Sequence, residues 1–237
     1  MTVDGVVGKG TAARLAGVSA AAKKKPEASE DRARKQDKGA PDIAVSAGQF
    51  EGEGLQRAVL SVALDVFVNG WKAGKTTKMI YTIIDFSMPS TEKRLFILNL
   101  EAGTLIRKEL VTHGGKSGGN QPTKFSNREG SNQSSIGLAR TGGTYEGKHG
   151  TSLYLEGLEE GYNSNMKDRH VVMHAADYAT PEAIKANGGT RLGRSEGCPA
   201  MDPRVAGDVI DTVKNGTLVF SYYPDPKYLE QSEYVNG

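Results

Sequence analysis

The stretch Arg194-Ser195-Glu196-Gly197-Cys198-Pro199-Ala200 holds the only cysteine in 237 residues. One cysteine excludes an intramolecular disulfide and any four-cysteine zinc site. A small buried apolar group, a metal ligand and a nucleophile remain open. A nucleophilic thiol must be ionised, and at a free pKa of about 8.5 only a few per cent is thiolate near neutrality. Its neighbours suit that task. Gly197 allows close backbone approach, Pro199 stiffens the exit, and Arg194 together with a helix starting near Asp202 would lower the pKa. The Gly197 and Cys198 N–H groups are candidates for an oxyanion hole.

A general base is also required. His174 closes the apolar run HVVMHA, 198 − 174 = 24 residues before the cysteine, and a strand end is a firm mount for a ring that reaches a pocket. His170, His174 and Asp177 also spell H-x3-H-x2-D, a conceivable metal string. On one strand, however, the two histidines stand about 13 Å apart at about 3.3 Å per residue, too far to share an ion. His113 and His149 fall in Gly-rich loops.

The elements that must position these groups follow from periodicity. Apolar residues recur at three- and four-residue spacing from Gly54 to about Trp71, which predicts an amphipathic helix ending near Asn69-Gly70 or Gly74. Short β-branched or aromatic runs at 79–86, 94–100, 104–112, 152–157, 170–175 and 217–223 predict a mainly antiparallel β domain. A second helix is expected after the cysteine, capped by Asp202, opened by Pro203, burying Val205, Val209 and Val213, and stopped by Asn215-Gly216. The Gly/Ser/Asn-rich segments 113–135 and 140–150 read as long loops, and Phe125, Tyr145 and His149 within them suggest a substrate-facing role.

Composition bounds the rest. The chain is 37% hydrophobic, enough for one substantial core, and 30 basic against 28 acidic residues give a net charge of +2, with no call for nucleic acid. No apolar run is long enough to span a membrane and no signal-peptide pattern opens the chain. Residues 1–17 stand apart, 18–41 have the Ala/Lys/Glu/Ser/Pro composition of a disordered linker, 42–225 are expected to form the main domain, and 226–237 a C-terminal tail.

Several ordered pieces carry a resemblance. IIDFSMPSTEKRLFIL, HGGKSGG, FSNREGSNQSSIGLART, YEGKHGTSLYLEGLEEGYN, RHVVMHAADY and RLGRSEGCPAM, spread over about half the chain, resemble the catalytic domain of L,D-transpeptidases, the YkuD-like family of cell-wall enzymes. VDGVVGKGTAARL near the N-terminus is similar to the closing part of a peptidoglycan-binding module. The resemblance implies an α+β, mainly β fold, a β-sandwich-like domain with an N-terminal amphipathic helix. It implies Cys198 as nucleophile, His174 as base and then acid, Ser195 as supporting serine, and the Gly197 and Cys198 amides as oxyanion donors. His149 and Tyr145 become pocket residues, Arg191 and Arg194 candidate partners for substrate carboxylates, and Glu196 stands where the family more often has an aromatic residue or histidine. Implied partners are peptidoglycan stem peptides, a donor tetrapeptide and an amine acceptor, without metal or cofactor. The implied location is the periplasm or cell wall, which suggests that a leader segment belongs ahead of this sequence. An L,D-carboxypeptidase, D-amino acid exchange, a metal-dependent peptidase and a non-catalytic wall-binding protein are the alternatives.

Overall fold

A computed structural model describes residues 39–237. The peptidoglycan-binding remnant expected at 1–17 and nearly all of the linker expected at 18–41 lie outside the described residues.

Helix α1 (Arg57–Lys72) forms where the apolar spacing predicts it and buries Val59, Leu60, Ala63, Val66, Phe67 and Gly70. Each large side chain on that face is worth about 1.5–3 kcal/mol of burial. Gly70 sets how close the helix comes to the sheet: a β-carbon there would meet Leu138 Cδ2 and Leu218 Cδ1 at 3.0 Å. The helix ends at Ala73, whose N–H donates to the Asn69 carbonyl, and Gly74 turns the chain with φ +69°.

Eight strands pair in the order β3-β2-β1-β8-β4-β5-β6-β7. They are β1 (Ile80–Asp85), β2 (Leu95–Asn99), β3 (Thr104–Glu109), β4 (Gly137–Gly147), β5 (Gly150–Gly157), β6 (Val172–Ala175), β7 (Ala200–Met201) and β8 (Leu218–Tyr222). Most pairs are antiparallel, as the alternating runs suggest; β1 with β8 and β6 with β7 are parallel. Strands β1, β2 and β8 read as continuous apolar runs because nearly all their residues are buried. With a few helices around this sheet, the fold is the mainly β, α+β class expected, with the amphipathic helix at its N-terminal side.

Three expectations are corrected. Segment 140–150, read as a loop, is most of a hairpin: β4 pairs with β5 on one side and β8 on the other, and a register shift between Thr141 and Thr144 absorbs Gly142-Gly143. Cross-strand partners far along the chain supply what the Gly-rich composition conceals. The strand read from 170 begins only at Val172, because His170 takes φ +52° in the preceding turn. Residues 226–237 fold as α4 (Pro226–Gln231) and α5 (Glu233–Asn236), which bury Tyr228 and Tyr234. Buried Glu159 anchors them, accepting from Tyr228 Oη (2.9 Å), Ser232 Oγ (2.6 Å) and the Leu138 N–H (2.5 Å). Two further α-helices among the described residues are α2 (Pro181–Ala186) and α3 (Pro203–Val213).

Candidate active site

The cysteine sits on a turn between Arg194 and β7 that is tied down on every side. The Ser195 N–H donates to the His113 carbonyl (3.0 Å), and Ser195 Oγ donates to the Cys198 carbonyl (2.6 Å) while accepting the Gly197 N–H (3.1 Å). Thr112 Oγ1 also donates to the Cys198 carbonyl (3.2 Å), and Ser134 Oγ to the Gly197 carbonyl (3.1 Å). Gly197 needs its missing side chain: φ is +129°, and a β-carbon would stand 2.8 Å from the Gln133 carbonyl oxygen. Its N–H, expected in an oxyanion hole, is already engaged by Ser195. The Cys198 N–H makes no hydrogen bond among the described residues, so it is the donor left for a developing oxyanion.

The register of β6 on β7 brings the two key residues together, since His174 pairs with Ala200, two residues past the cysteine. His174 is buried, and its Nδ1–H donates to the Ala175 carbonyl (2.8 Å); a carbonyl only accepts, so this contact assigns the tautomer and leaves the lone pair on Nε2. Burial holds its pKa below the usual histidine value, with the neighbouring His149 and Lys148 acting the same way against the Ala175 carbonyl. The Cys198 thiol, half-buried, donates to the His170 carbonyl at 3.6 Å. Burial raises its pKa and Glu196 adds to this, while the Val172 N–H and the charges of Arg169 and Lys148 oppose it. The resting pair is therefore thiol and neutral imidazole. Arg194, expected to activate the thiol, lines the same cleft and donates to the Gly115 and Gly118 carbonyls (3.3 and 3.1 Å), while Asp202 caps α3 through the Arg204 N–H (2.8 Å).

Both residues line an open cleft of about 520 Å³, with Tyr145, Lys148 and His149 from the β4–β5 hairpin, Arg169 and His170 from the turn before β6, and Arg194, Ser195 and Glu196 from the cysteine turn. At the hairpin tip the His149 ring stacks on His174 with centroids 4.4 Å apart. Among the described residues no group of three His, Cys, Asp or Glu side chains is placed to hold a metal ion.

The family model of the L,D-transpeptidase catalytic domain matches residues 51–222, which include every one of these groups. The chain belongs to that family. No curated protein matches it. Among solved structures it is similar to an L,D-transpeptidase from Mycobacterium smegmatis, at 14% identity and TM-score 0.36 over 61% of this chain and 59% of that one. It is also similar to the helical cell shape determining protein Pgp2 from Campylobacter jejuni, at 15% identity and TM-score 0.41 over 62% and 48%. A third is an L,D-transpeptidase from Stackebrandtia nassauensis, at 14% identity and TM-score 0.37 over 68% and 66%. The chain thus spans about half to three-fifths of the first two.

Within this L,D-transpeptidase domain the expected site residues mostly converge. Cys198, His174, Ser195, His149, Tyr145, Arg194 and Glu196 all line the cleft, and Gly197 lies just beneath it. Arg191 does not: its guanidinium folds back onto the Leu192 carbonyl (3.0 Å). Phe125, expected to face substrate, packs between Phe86 and Tyr223 instead, at 5.6 and 4.7 Å. His113 is buried, its Nδ1 accepting from Arg94 Nη2 (2.8 Å), and burial with that guanidinium lowers its pKa to about 4. It supports the cysteine turn through its carbonyl and takes no place in the cleft. Sequence reasoning missed Arg169, Lys148 and Tyr178, all in the cleft. Arg169 is adjacent to the His170-to-His174 run, and its nearness to that run was the available signal.

Proposed function

We propose that this domain is a peptidoglycan L,D-transpeptidase with Cys198 as nucleophile and His174 as general base. The observation that carries the reading is that the lone thiol and a buried imidazole of fixed tautomer line one open cleft. His174 Nε2 takes the Sγ proton as sulfur attacks the carbonyl joining the third stem residue to D-alanine. Charge that develops on the carbonyl oxygen is met by the Cys198 N–H. His174 then returns the proton to the departing D-alanine amine, leaving a thioester. An amine from a second stem attacks the thioester, gives its proton to His174 and displaces the thiolate, which is reprotonated; the product links the third residues of two stems. Substrate on peptidoglycan places the reaction outside the cytoplasm.

Exposed Glu196 on the cleft rim favours an ammonium-bearing acceptor over water, because a carboxylate concentrates cations beside the nucleophile. Purified protein incubated with disaccharide tetrapeptide is expected to release D-alanine, to carry an acyl adduct on Cys198 by mass spectrometry and to yield cross-linked dimers. Release of D-alanine by Cys198→Ala at the parent rate would overturn the mechanism, and hydrolysis without dimers at high acceptor concentration would replace transpeptidase by carboxypeptidase.

A further inference from the structure

Arg169 stands out because its charge has no structural partner. Its Nη1 donates to the Ser126 carbonyl (2.7 Å) and Ser135 Oγ (2.6 Å), and its Nη2 to the Gln133 carbonyl (2.6 Å) and Ser131 Oγ (3.2 Å). All four acceptors are neutral, and among the described residues no carboxylate pairs with it. A half-buried guanidinium held only by neutral dipoles retains an outward field. That field falls on the cysteine turn, because Nη2 lies 3.4 Å from the place a Gly197 β-carbon would occupy. The same four bonds gather residues 126–135 into a roof over the turn. Gln133, whose carbonyl Arg169 grips, is the residue that forbids a side chain at Gly197, and the adjoining Ser134 holds the Gly197 carbonyl.

We propose that Arg169 is a positioning residue of this active site, clamping the 126–135 loop onto the Gly197-Cys198 turn and supplying the positive charge that the cysteine thiolate meets when it forms. The proposal rests on Cys198 being the nucleophile. The guanidinium suits both tasks: its planar fork spans four acceptors, which an ammonium cannot do, and it stays charged through the catalytic cycle. Burial lowers the Arg169 pKa and the cysteine counters that shift, while Arg169 in turn lowers the pKa of Cys198. The other titratable and charged groups lining the cleft are Tyr145, Lys148 and His149 from the hairpin, His170 from the turn before β6, His174 from β6, Tyr178 from the segment before α2, and Arg194 and Glu196 from the cysteine's own turn.

The test reads the thiol directly, with a neutral reagent and no peptidoglycan. Iodoacetamide alkylation of Cys198 is followed against pH in the parent, Arg169→Lys and Arg169→Gln, with hydrogen exchange of the 126–135 amides measured alongside. Arg169→Gln is expected to move the alkylation profile to higher pH by about one unit, about tenfold slower at neutral pH. Arg169→Lys is expected to keep the profile near the parent's while the loop amides exchange faster. A folded Arg169→Gln with an unmoved profile overturns the electrostatic role, and unchanged loop exchange in Arg169→Lys overturns the clamp. Should Arg169→Gln fail to fold, Glu196→Gln tests the same field from the opposite sign, with a profile moved to lower pH expected and an unmoved one counting against it. A parent protein that alkylates as expected yet releases no D-alanine would sink the transpeptidase reading and leave Arg169 standing.

Discussion

At the residue scale the site is a thiol that burial keeps protonated beside an imidazole that burial keeps neutral. On the proposed mechanism the thiolate is made when substrate arrives, with His174 as its base. His174→Gln is expected to lower kcat/KM by about 10²–10⁴-fold with the fold intact by circular dichroism. The sign of the pH dependence follows from the His174 shift. A depressed pKa leaves the base competent as pH falls past the ordinary histidine value of 6.5, so the acid limb of kcat/KM is expected below that value. An acid limb above it in a pH–rate profile would mean that His174 is solvated and charged at rest. Ser195 belongs to this scale as well: its hydroxyl bridges the Gly197 N–H and the Cys198 carbonyl. Ser195→Ala removes both contacts and is expected to cost about 1–3 kcal/mol of turn stability, read as a lower melting temperature and lower kcat together.

At the element scale the turn carrying Cys198 has no room for a side chain at position 197. Gly197→Ala places a β-carbon 2.8 Å from the Gln133 oxygen at φ +129°, and about 1–3 kcal/mol of destabilisation is expected in denaturant unfolding, with alkylation of Cys198 altered in parallel. Helix α1, the six strand runs and α3 with its Asp202 cap could be read in advance because each carries its own local signal, in apolar spacing, β-branched runs or capping chemistry. The β4–β5 hairpin could not, since the Gly-rich half of β4 owes its strand state to β5 and to the 215–217 segment packed on it. The cysteine turn was legible as chemistry but not as electrostatics. Arg194 is next to the motif in sequence and donates to the Gly115 and Gly118 carbonyls, whereas Arg169 is distant in sequence and close to Gly197 in space. Spacing along a strand also misplaced His170, whose left-handed backbone starts the strand two residues late.

At the scale of the whole domain the C-terminal residues are part of the core. Glu159 gathers three donors, two of them from α4 and the residue after it. Glu159→Ala orphans all three in a buried setting and is expected to cost about 3 kcal/mol or more, against a smaller loss for Glu159→Gln, compared by chemical denaturation. Removal of residues 226–237 is expected to lower the melting temperature for the same reason and to uncover the α1 face that α5 contacts. The order of the strands has a temporal consequence. Strand β8 is bonded both to β1 and to β4, so β3-β2-β1 and β4-β5-β6-β7 form one continuous sheet only once it is in place. The sulfur leaves the ribosome 218 − 198 = 20 residues ahead of that strand. A chain that still lacks β8 therefore carries its thiol on an incomplete sheet, and the strand that completes that sheet lines no part of the cleft.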